Sequence, residues 1–479
     1  MKRHLKTLLL NLPWNLDDVT DCDSVAQPYG LAVISSLLKS NGLDVTLYDA
    51  NAHHTERQRL VEYVNDLKPD IIGTTLYTCH LPQTISFLKQ IKEIRPDIVT
   101  VVGGPHPSSE EHVDLLEQYP EIDMAVRGEG EYTLFEIIES FESRNSVTHI
   151  KGLVYRDAGE IKVNPLRDYI QDLDVLPFAD WDSLPMDNYW AVASEKKNLA
   201  NILFSRGCRY SCTFCGSKVA LGRKVRKRSP GSIIEEIKYL YEKHNVRELA
   251  INDATFNVDF EWNRQIARRL IEYNKPDLVW GCNLRADRTV KMDIELLKLM
   301  KRSGLRNIFM GVESGDDRML KSMKKGTTVE MIRAALRMLD EAKIKVYLGF
   351  IMGMPGETES SLQKTLSFAR ELRKYSTAFS IATPFPGTEL YQQAKKEGFQ
   401  VDDWAKFDYH DITYVPKNLT REKLYHYYTR TIFNYYLNIR FLASQVLQLK
   451  SWLQFIKTFR LGYRILMGRR KRLKREFES

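Results

Sequence analysis

The chain of 479 residues exceeds what one hydrophobic core normally spans, so two or three domains are expected. At 43% hydrophobic and 28% charged it has the balance of a globular protein, and no apolar run approaches the ~20 residues of a membrane span. The net charge of +8 is modest for this length, and six cysteines without a paired pattern, behind an N-terminus with no secretory apolar region, exclude a disulfide scaffold and fit a reduced cytoplasm.

From Lys6 to about Ser143 short apolar runs alternate with amphipathic ones. Strands are predicted at Leu8 to Leu12, Val45 to Tyr48, Ile71 to Leu76, Ile98 to Val102 and Met124 to Val126, each followed by a helical stretch. Such units read as α/β: an open, doubly wound, mostly parallel sheet whose ligands bind at the carboxyl ends of the strands. The loops at those ends carry Pro28-Tyr29-Gly30, Thr74-Thr75-Leu76, Gly103-Gly104-Pro105-His106 and Arg127-Gly128-Glu129-Gly130-Glu131. Singly these glycines are ordinary turn residues. Their order, P-Y-G-L-A, P-D-I-I-G, G-G-P-H and G-E-G-E, resembles the Rossmann-like cobalamin-binding domain that precedes the barrel in a class of radical S-adenosylmethionine (SAM) enzymes. The resemblance implies that residues 1–145 hold cobalamin, with Thr75, Gly103, Gly104, Gly128 and Glu129 at the cofactor. The loop Asn15 to Val19 lacks the D-x-H-x-x-G signature, and His53-His54 follows the wrong strand, so the cobalt is expected to have no histidine on its lower face.

Residues 146–199 read as a connector, with a β-hairpin from Gly152 to Val163 around Ala158-Gly159 and then an acidic, proline-bearing segment. Its Trp181, Tyr189 and Trp190 suit packing against both neighbours.

Over residues 200–398 strands and helices alternate again, with strands predicted at Asn201 to Ser205, Glu248 to Asn252, Leu278 to Asn283, Asn307 to Val312, Lys345 to Met352 and Ala378 to Thr383. This is a partial (β/α)6 barrel, whose sites lie at the carboxyl ends of its strands. After the first strand comes Ser205-Arg206-Gly207-Cys208-Arg209-Tyr210-Ser211-Cys212-Thr213-Phe214-Cys215-Gly216, which gathers half of the cysteines. Three thiolates spaced C-x3-C-x2-C leave one corner of an iron-sulfur cubane open. A Cys3His zinc site is the competing reading, but zinc modules bring a further ligand pair 12–20 residues on, and the next histidine, His244, stands alone on a predicted helix. Cys22, Cys79 and Cys282 are isolated and read as packed thiols.

The cysteine spacing resembles the signature of the radical SAM enzymes. That resemblance implies a [4Fe-4S] cluster on Cys208, Cys212 and Cys215, which are also the catalytic residues. It further implies SAM contacts from Phe214 by its backbone near adenine, Asp253 near the amino group, Arg285 at the carboxylate, Glu313 and Ser314 at the ribose, and Gly353 in the adenine-side G-x-I-x-G pattern. For each charged residue an ordinary strand-end ion pair is the alternative, and Glu357 suits the start of the next helix.

Residues 399–479 read as a helical region rich in tyrosine, with a stripe of Trp452, Phe455, Ile456, Phe459, Tyr463 and Leu466 before a basic tail, Arg469 to Arg475. The stripe fits a helix packed on the barrel, or one lying on an anionic membrane.

The whole reads as a cobalamin-dependent radical SAM enzyme that methylates an unactivated carbon of a small-molecule or lipid-like substrate. An electron donor such as flavodoxin or ferredoxin is implied, and nucleic acid is not. A radical rearrangement, cyclisation or dehydration without methyl transfer is the alternative, and a zinc-stabilised binding module the one outside enzymes. A tRNA methylthiotransferase would bring three further cluster cysteines, where only Cys22 and Cys79 precede the loop.

Overall fold

The computed structural model describes residues 4–17, 24–191, 194–196 and 198–436. In the N-terminal sheet, β1 (Lys6–Asn11), β2 (Asp44–Asp49), β3 (Ile71–Thr75), β4 (Val99–Gly103) and β5 (Met124–Val126) run parallel in the order β2-β1-β3-β4-β5. Both faces are covered, which is why β1 reads as an unbroken apolar run. Leu8 and Leu10 point into a core with Phe87 and Leu88, while Leu9 joins Leu31 and Leu134 on the other side.

The hairpin expected in the connector does not stand apart. Its strands β6 (Leu153–Asp157) and β7 (Glu160–Val163) extend the same sheet antiparallel beyond β5. Ala158 and Gly159 have φ of 49° and 88°, the positive pair that a two-residue hairpin turn requires. The rest of the connector is an adhesive layer. Trp181, 1% exposed, donates its indole N–H to Glu236 Oε1 at 2.8 Å, and the Tyr189 hydroxyl reaches Asp49 Oδ2 at 2.8 Å.

The second sheet contains β8 (Leu199–Ile202), β9 (Glu248–Ile251), β10 (Val279–Asn283), β11 (Leu305–Glu313), β12 (Lys345–Met352) and β13 (Ser376–Ile381), all parallel and in sequence order. Helices return the chain between them. That of Pro230–Lys243 starts where Ser229 caps the Ser232 N–H at 3.2 Å, with proline in the first turn. One departure lies at the entry to the cysteine loop. The first strand ends at Ile202, and Ser205–Arg206 pairs antiparallel with Arg226–Lys227 to close the loop at its base.

The C-terminal region turns helical only at Arg421–Tyr436, which packs Leu424, Tyr427 and Tyr428 on the barrel. Before it, residues 399–420 are irregular, and their turn Trp404–Lys406 lies against the N-terminal domain, where the Trp404 ring meets His106 edge-on at 5.1 Å. The stripe Trp452 to Leu466, the basic tail and Cys22 lie outside the described residues. Among the described residues no helix is long and apolar enough to cross a membrane.

Candidate active site

The cysteine loop leaves its base through Gly207, whose φ is 89° and where a Cβ would run into the Lys224 carbonyl, so only glycine makes this turn. Backbone bonds then fold the loop over the barrel mouth: Cys208 N–H to Gly222 O at 3.1 Å, Thr213 N–H to Met323 O at 3.0 Å, and Cys215 N–H to Cys212 O at 3.3 Å. All three thiols are free; Cys212 is buried and the others half-buried. Each lies beside a polar side chain, and the Cys215 thiol donates to its partner. Cys208 Sγ lies 3.9 Å from Thr255 Oγ1, Cys212 Sγ 3.6 Å from Arg285 Nη1, and Cys215 Sγ 3.2 Å from Ser217 Oγ. Burial raises the Cys212 thiol while Lys325 and Arg285 pull it down.

This donor set fits a cluster. The histidine that a Cys3His site would need, His244, ends its helix with Nε2 2.9 Å from Asp182.

Arg285, expected at the SAM carboxylate, lies beside the cysteine loop. Its guanidinium lies 3.5 Å from the centre of the Tyr210 ring, pairs with Asp287 at 2.9 Å and donates to the Lys325 carbonyl. Phe214 is half-buried against Met319, Met323, Met354 and Leu390, which holds its backbone over the mouth. Gly353 follows β12 with φ of 91°. Its N–H and that of Met354 donate to Glu357, so Glu357 shapes this loop and does not merely begin a helix. Burial raises the Glu357 carboxyl to about 7.

Three expected SAM ligands are committed elsewhere. Asp253 is fully buried and accepts from Phe204 N–H at 2.7 Å, Ser205 N–H at 3.1 Å and Ser205 Oγ at 2.7 Å. It fixes the entry to the cysteine loop, and burial raises its carboxyl to about 6. Glu313, at φ of 64°, pairs with buried Lys325 at 2.5 Å. Ser314 is fully buried on Thr365 Oγ1 at 3.0 Å and also accepts from Asp316 N–H at 3.1 Å.

The N-terminal domain turns its strand ends toward this loop. Arg206, two residues before Cys208, pairs with Glu129 at 3.0 Å and Glu131 at 2.6 Å; Arg226 reaches Glu129 at 2.8 Å. The second Glu129 oxygen also accepts from Ile170 N–H at 2.8 Å. These groups are at most 8% exposed as side chains, so the Glu129 carboxylate locks the domains together and is not free for a cofactor. A Cβ on Gly387, beyond β13, would touch both Val219 of the helix after the cysteines and Ser109 of the N-terminal domain, so the faces meet there too.

Around this contact the N-terminal loops form a cradle with buried polar atoms left unsatisfied. Gly128, with φ of 80°, would have open space at its Cβ; Gly104, with φ of 99°, stands against Thr75. Ser108 ties the loops by donating to Gly104 O at 2.7 Å and accepting from Gly128 N–H at 2.9 Å. Thr74 Oγ1 and His80 Nε2 are buried without partners, and the rings of Trp14 and Tyr77 are about half exposed beside His80. Burial lowers His80 to about 4, so it is neutral at pH 7. His53 stacks on Tyr48 at 4.9 Å after β2. Sequence reasoning missed Arg206, Arg226, Lys325 and His80. Only the placement of Arg206 next to Gly207-Cys208 offered a signal.

Comparison with known proteins agrees with this geometry. Residues 202–369 match the model of the radical SAM superfamily, and residues 18–138 match that of the B12 binding domain. The chain is 28% identical over 422 residues to an uncharacterized methyltransferase of Pyrococcus horikoshii, covering 88% of this chain and 90% of that one. It is 31% identical over 403 residues to an anaerobic magnesium-protoporphyrin IX monomethyl ester cyclase of Cereibacter sphaeroides, covering 83% of this chain and 65% of that one. Its fold matches the radical SAM methyltransferase TsrM of Kitasatospora setae, solved with cobalamin and a [4Fe-4S] cluster, with a TM-score of 0.70 at 18% identity over 91% of this chain and 89% of that one.

Proposed function

We infer that this chain, which belongs to the radical SAM superfamily and carries a B12 binding domain, methylates an unactivated carbon of a small-molecule or lipid-like biosynthetic intermediate. Its cofactors are a [4Fe-4S] cluster, SAM and cobalamin. When bound, these supply a 5'-deoxyadenosyl radical that takes hydrogen from the substrate and a methyl group that replaces it. The observation that carries the reading is the buried contact of Arg206 and Arg226 with Glu129 and Glu131, which turns the strand ends of both sheets toward one shared space.

The chain's own residues have separable tasks. Cys208, Cys212 and Cys215 would hold the cluster, with Arg285 placed to donate to the Cys212 sulfur. Arg285, with Nη1 turned toward Cys212, supplies positive charge for a carboxylate at the open corner. The amides of Gly353 and Met354, held by Glu357, and the Phe214 backbone shape the adenine side. Thr75, Gly103, Gly104 and Gly128 allow the corrin to approach backbone, and the Glu129 carboxylate holds the two sites in register. A small electron-transfer protein of the flavodoxin or ferredoxin type reduces the cluster.

A second reading, radical cyclisation without methyl transfer, is favoured by the relative from Cereibacter sphaeroides, a named cyclase. Product analysis separates the two. Reconstituted protein is given reductant, cobalamin, trideuteromethyl-SAM and host extract, with the Cys208→Ala/Cys212→Ala/Cys215→Ala variant as blank. The expected product carries one labelled methyl group and is absent from the blank. An unlabelled product formed with 5'-deoxyadenosine supports the second reading, and 5'-deoxyadenosine from the blank refutes both.

A further inference from the structure

Between Ser205 and Arg228 the chain carries eight lysines and arginines and no acidic residue. Four of the eight are spent on carboxylates: Arg206 and Arg226 on Glu129, Arg228 on Glu236, and Lys227 on Asp259. Among the described residues none of the remaining four, Arg209, Lys218, Arg223 and Lys224, forms an ion pair. Arg209, Arg223 and Lys224 are exposed, and each bonds a neutral oxygen.

These cations are fastened to the solvent edge of the cysteine loop. Arg209 belongs to the loop and donates to Val258 O at 3.0 Å. Arg223 donates to Ser211 Oγ at 3.2 Å, and Gly222 before it accepts from Cys208 N–H at 3.1 Å. Lys224 reaches Gln171 Oε1 at 2.6 Å. Arg288 adds a further cation by donating to the same Val258 oxygen at 3.2 Å, so two guanidiniums share one carbonyl. Asp259 and Asp287, next to Val258 and Arg288 in the chain, are already held by Lys227 and Arg285. Like charges gathered in this way without a counter-ion are relieved by an anionic surface laid across them.

We propose that this edge is the docking surface for an acidic one-electron carrier protein, which delivers its electron across the Cys208–Ser211 side of the loop. This rests on the reading above that Cys208, Cys212 and Cys215 hold a cluster. One electron leaves the carrier's reduced centre and lowers the cluster's charge by one; no bond forms and no proton moves. A carrier must bind, deliver and leave, so its contact is small and steered by charge and is not locked by apolar burial. The edge has that character. Its Tyr210 ring is half-buried with Arg285 3.5 Å from its centre, so the edge presents charge and not the aromatic platform on which the bases of a nucleic acid stack.

The test uses the full chain with its reconstituted cluster and flavodoxin as the acidic carrier. Calorimetry measures binding of oxidised flavodoxin, and stopped-flow absorbance follows cluster reduction by the reduced form. Arg223→Gln/Lys224→Gln removes two charges, Arg223→Lys/Lys224→Arg keeps both, and reduced methyl viologen is a control reductant that needs no docking. At ~0.01 M salt, where charges act over ~30 Å, the Gln variant is expected to bind and accept electrons from flavodoxin about three- to tenfold more weakly and slowly than wild type. The gap closes by ~1 M salt, the charge-keeping variant matches wild type, and all three react alike with methyl viologen. Equal binding and reduction by flavodoxin in wild type and the Gln variant overturn the proposal. So does an equal slowing with methyl viologen or in the charge-keeping variant, either of which makes the two residues structural. An oligonucleotide held more tightly than flavodoxin, and released by the Gln variant, assigns the edge to nucleic acid and overturns it too. If wild type assembles no cluster, or methyl viologen cannot reduce it, the function proposed above fails instead.

Discussion

Replacing Glu129 by glutamine removes the charge on which the contact between the two sheets turns. Arg206 would keep Glu131 at 2.6 Å, but Arg226, 2% exposed as a side chain, would keep no carboxylate, only the Ile170 and Leu221 carbonyls, each at 2.8 Å, and the face of the Tyr169 ring at 4.9 Å. Breaking a buried pair from one side typically costs about 3–5 kcal/mol, because the remaining charge is stranded away from water. In a cooperative unit of 150–250 residues that lowers the melting temperature by roughly 6–20 °C. Removing the charge of both partners, in Glu129→Gln/Arg226→Met, restores much of the loss, since the Arg226 charge is then no longer stranded. Calorimetry and urea titration of wild type, each single variant and the double variant provide the cycle. A Glu129→Gln cost below about 0.5 kcal/mol, the range of surface substitutions, would refute the claim that this carboxylate bears the interface.

Asp253→Asn should keep the bonds to the Phe204 and Ser205 amides and leave SAM affinity unchanged; a tenfold weaker affinity would restore Asp253 as a ligand. Because burial raises the folded carboxyl to about 6 from 3.8, wild type bears the cost of the charged form above pH 6 and regains stability as pH falls toward 4. The variant should therefore equal or exceed wild type at pH 8, by up to roughly 3 kcal/mol, with the gap closing near pH 4. Gly103→Leu should lower cobalamin content while the cluster's absorbance persists. This site has an ordinary backbone, with Val126 Cβ 3.8 Å from the added carbon, whereas a side chain on Gly104 would press on Thr75 Cγ2 at 2.8 Å. Full cobalamin content in Gly103→Leu would remove Gly103 from the cradle.

What the sequence revealed depended on whether the information is local. The parallel strands were legible because helices cover both faces and each strand is a short apolar run, as at Leu8 to Leu10. The hairpin at Ala158-Gly159 was legible from its turn, but not its place beside β5, because edge pairing leaves no period in either strand. The two-residue pair of Ser205–Arg206 with Arg226–Lys227 is too short for any pattern. The three cysteines were legible because the loop that holds them is contiguous.

The charged residues divide differently. Asp253, Glu313 and Glu129 sit at strand ends, where ligands bind in folds of this kind, and position alone marks all three for cofactors. A carboxylate at such an end also lies beside backbone N–H groups and arginines brought in from distant segments, and sequence carries no trace of those partners. Glu129 meets Arg226 across 97 positions and Asp253 meets Ser205 across 48. Arg285 differs because its guanidinium carries more donors than its fixed partners consume. It satisfies Asp287 and the Lys325 carbonyl and still turns Nη1 toward Cys212. Buried carboxylates near this mouth are thus consumed in building it, Asp253 by the entry to the cysteine loop and Glu313 by Lys325, while Arg285 keeps a donor turned toward the cysteine loop.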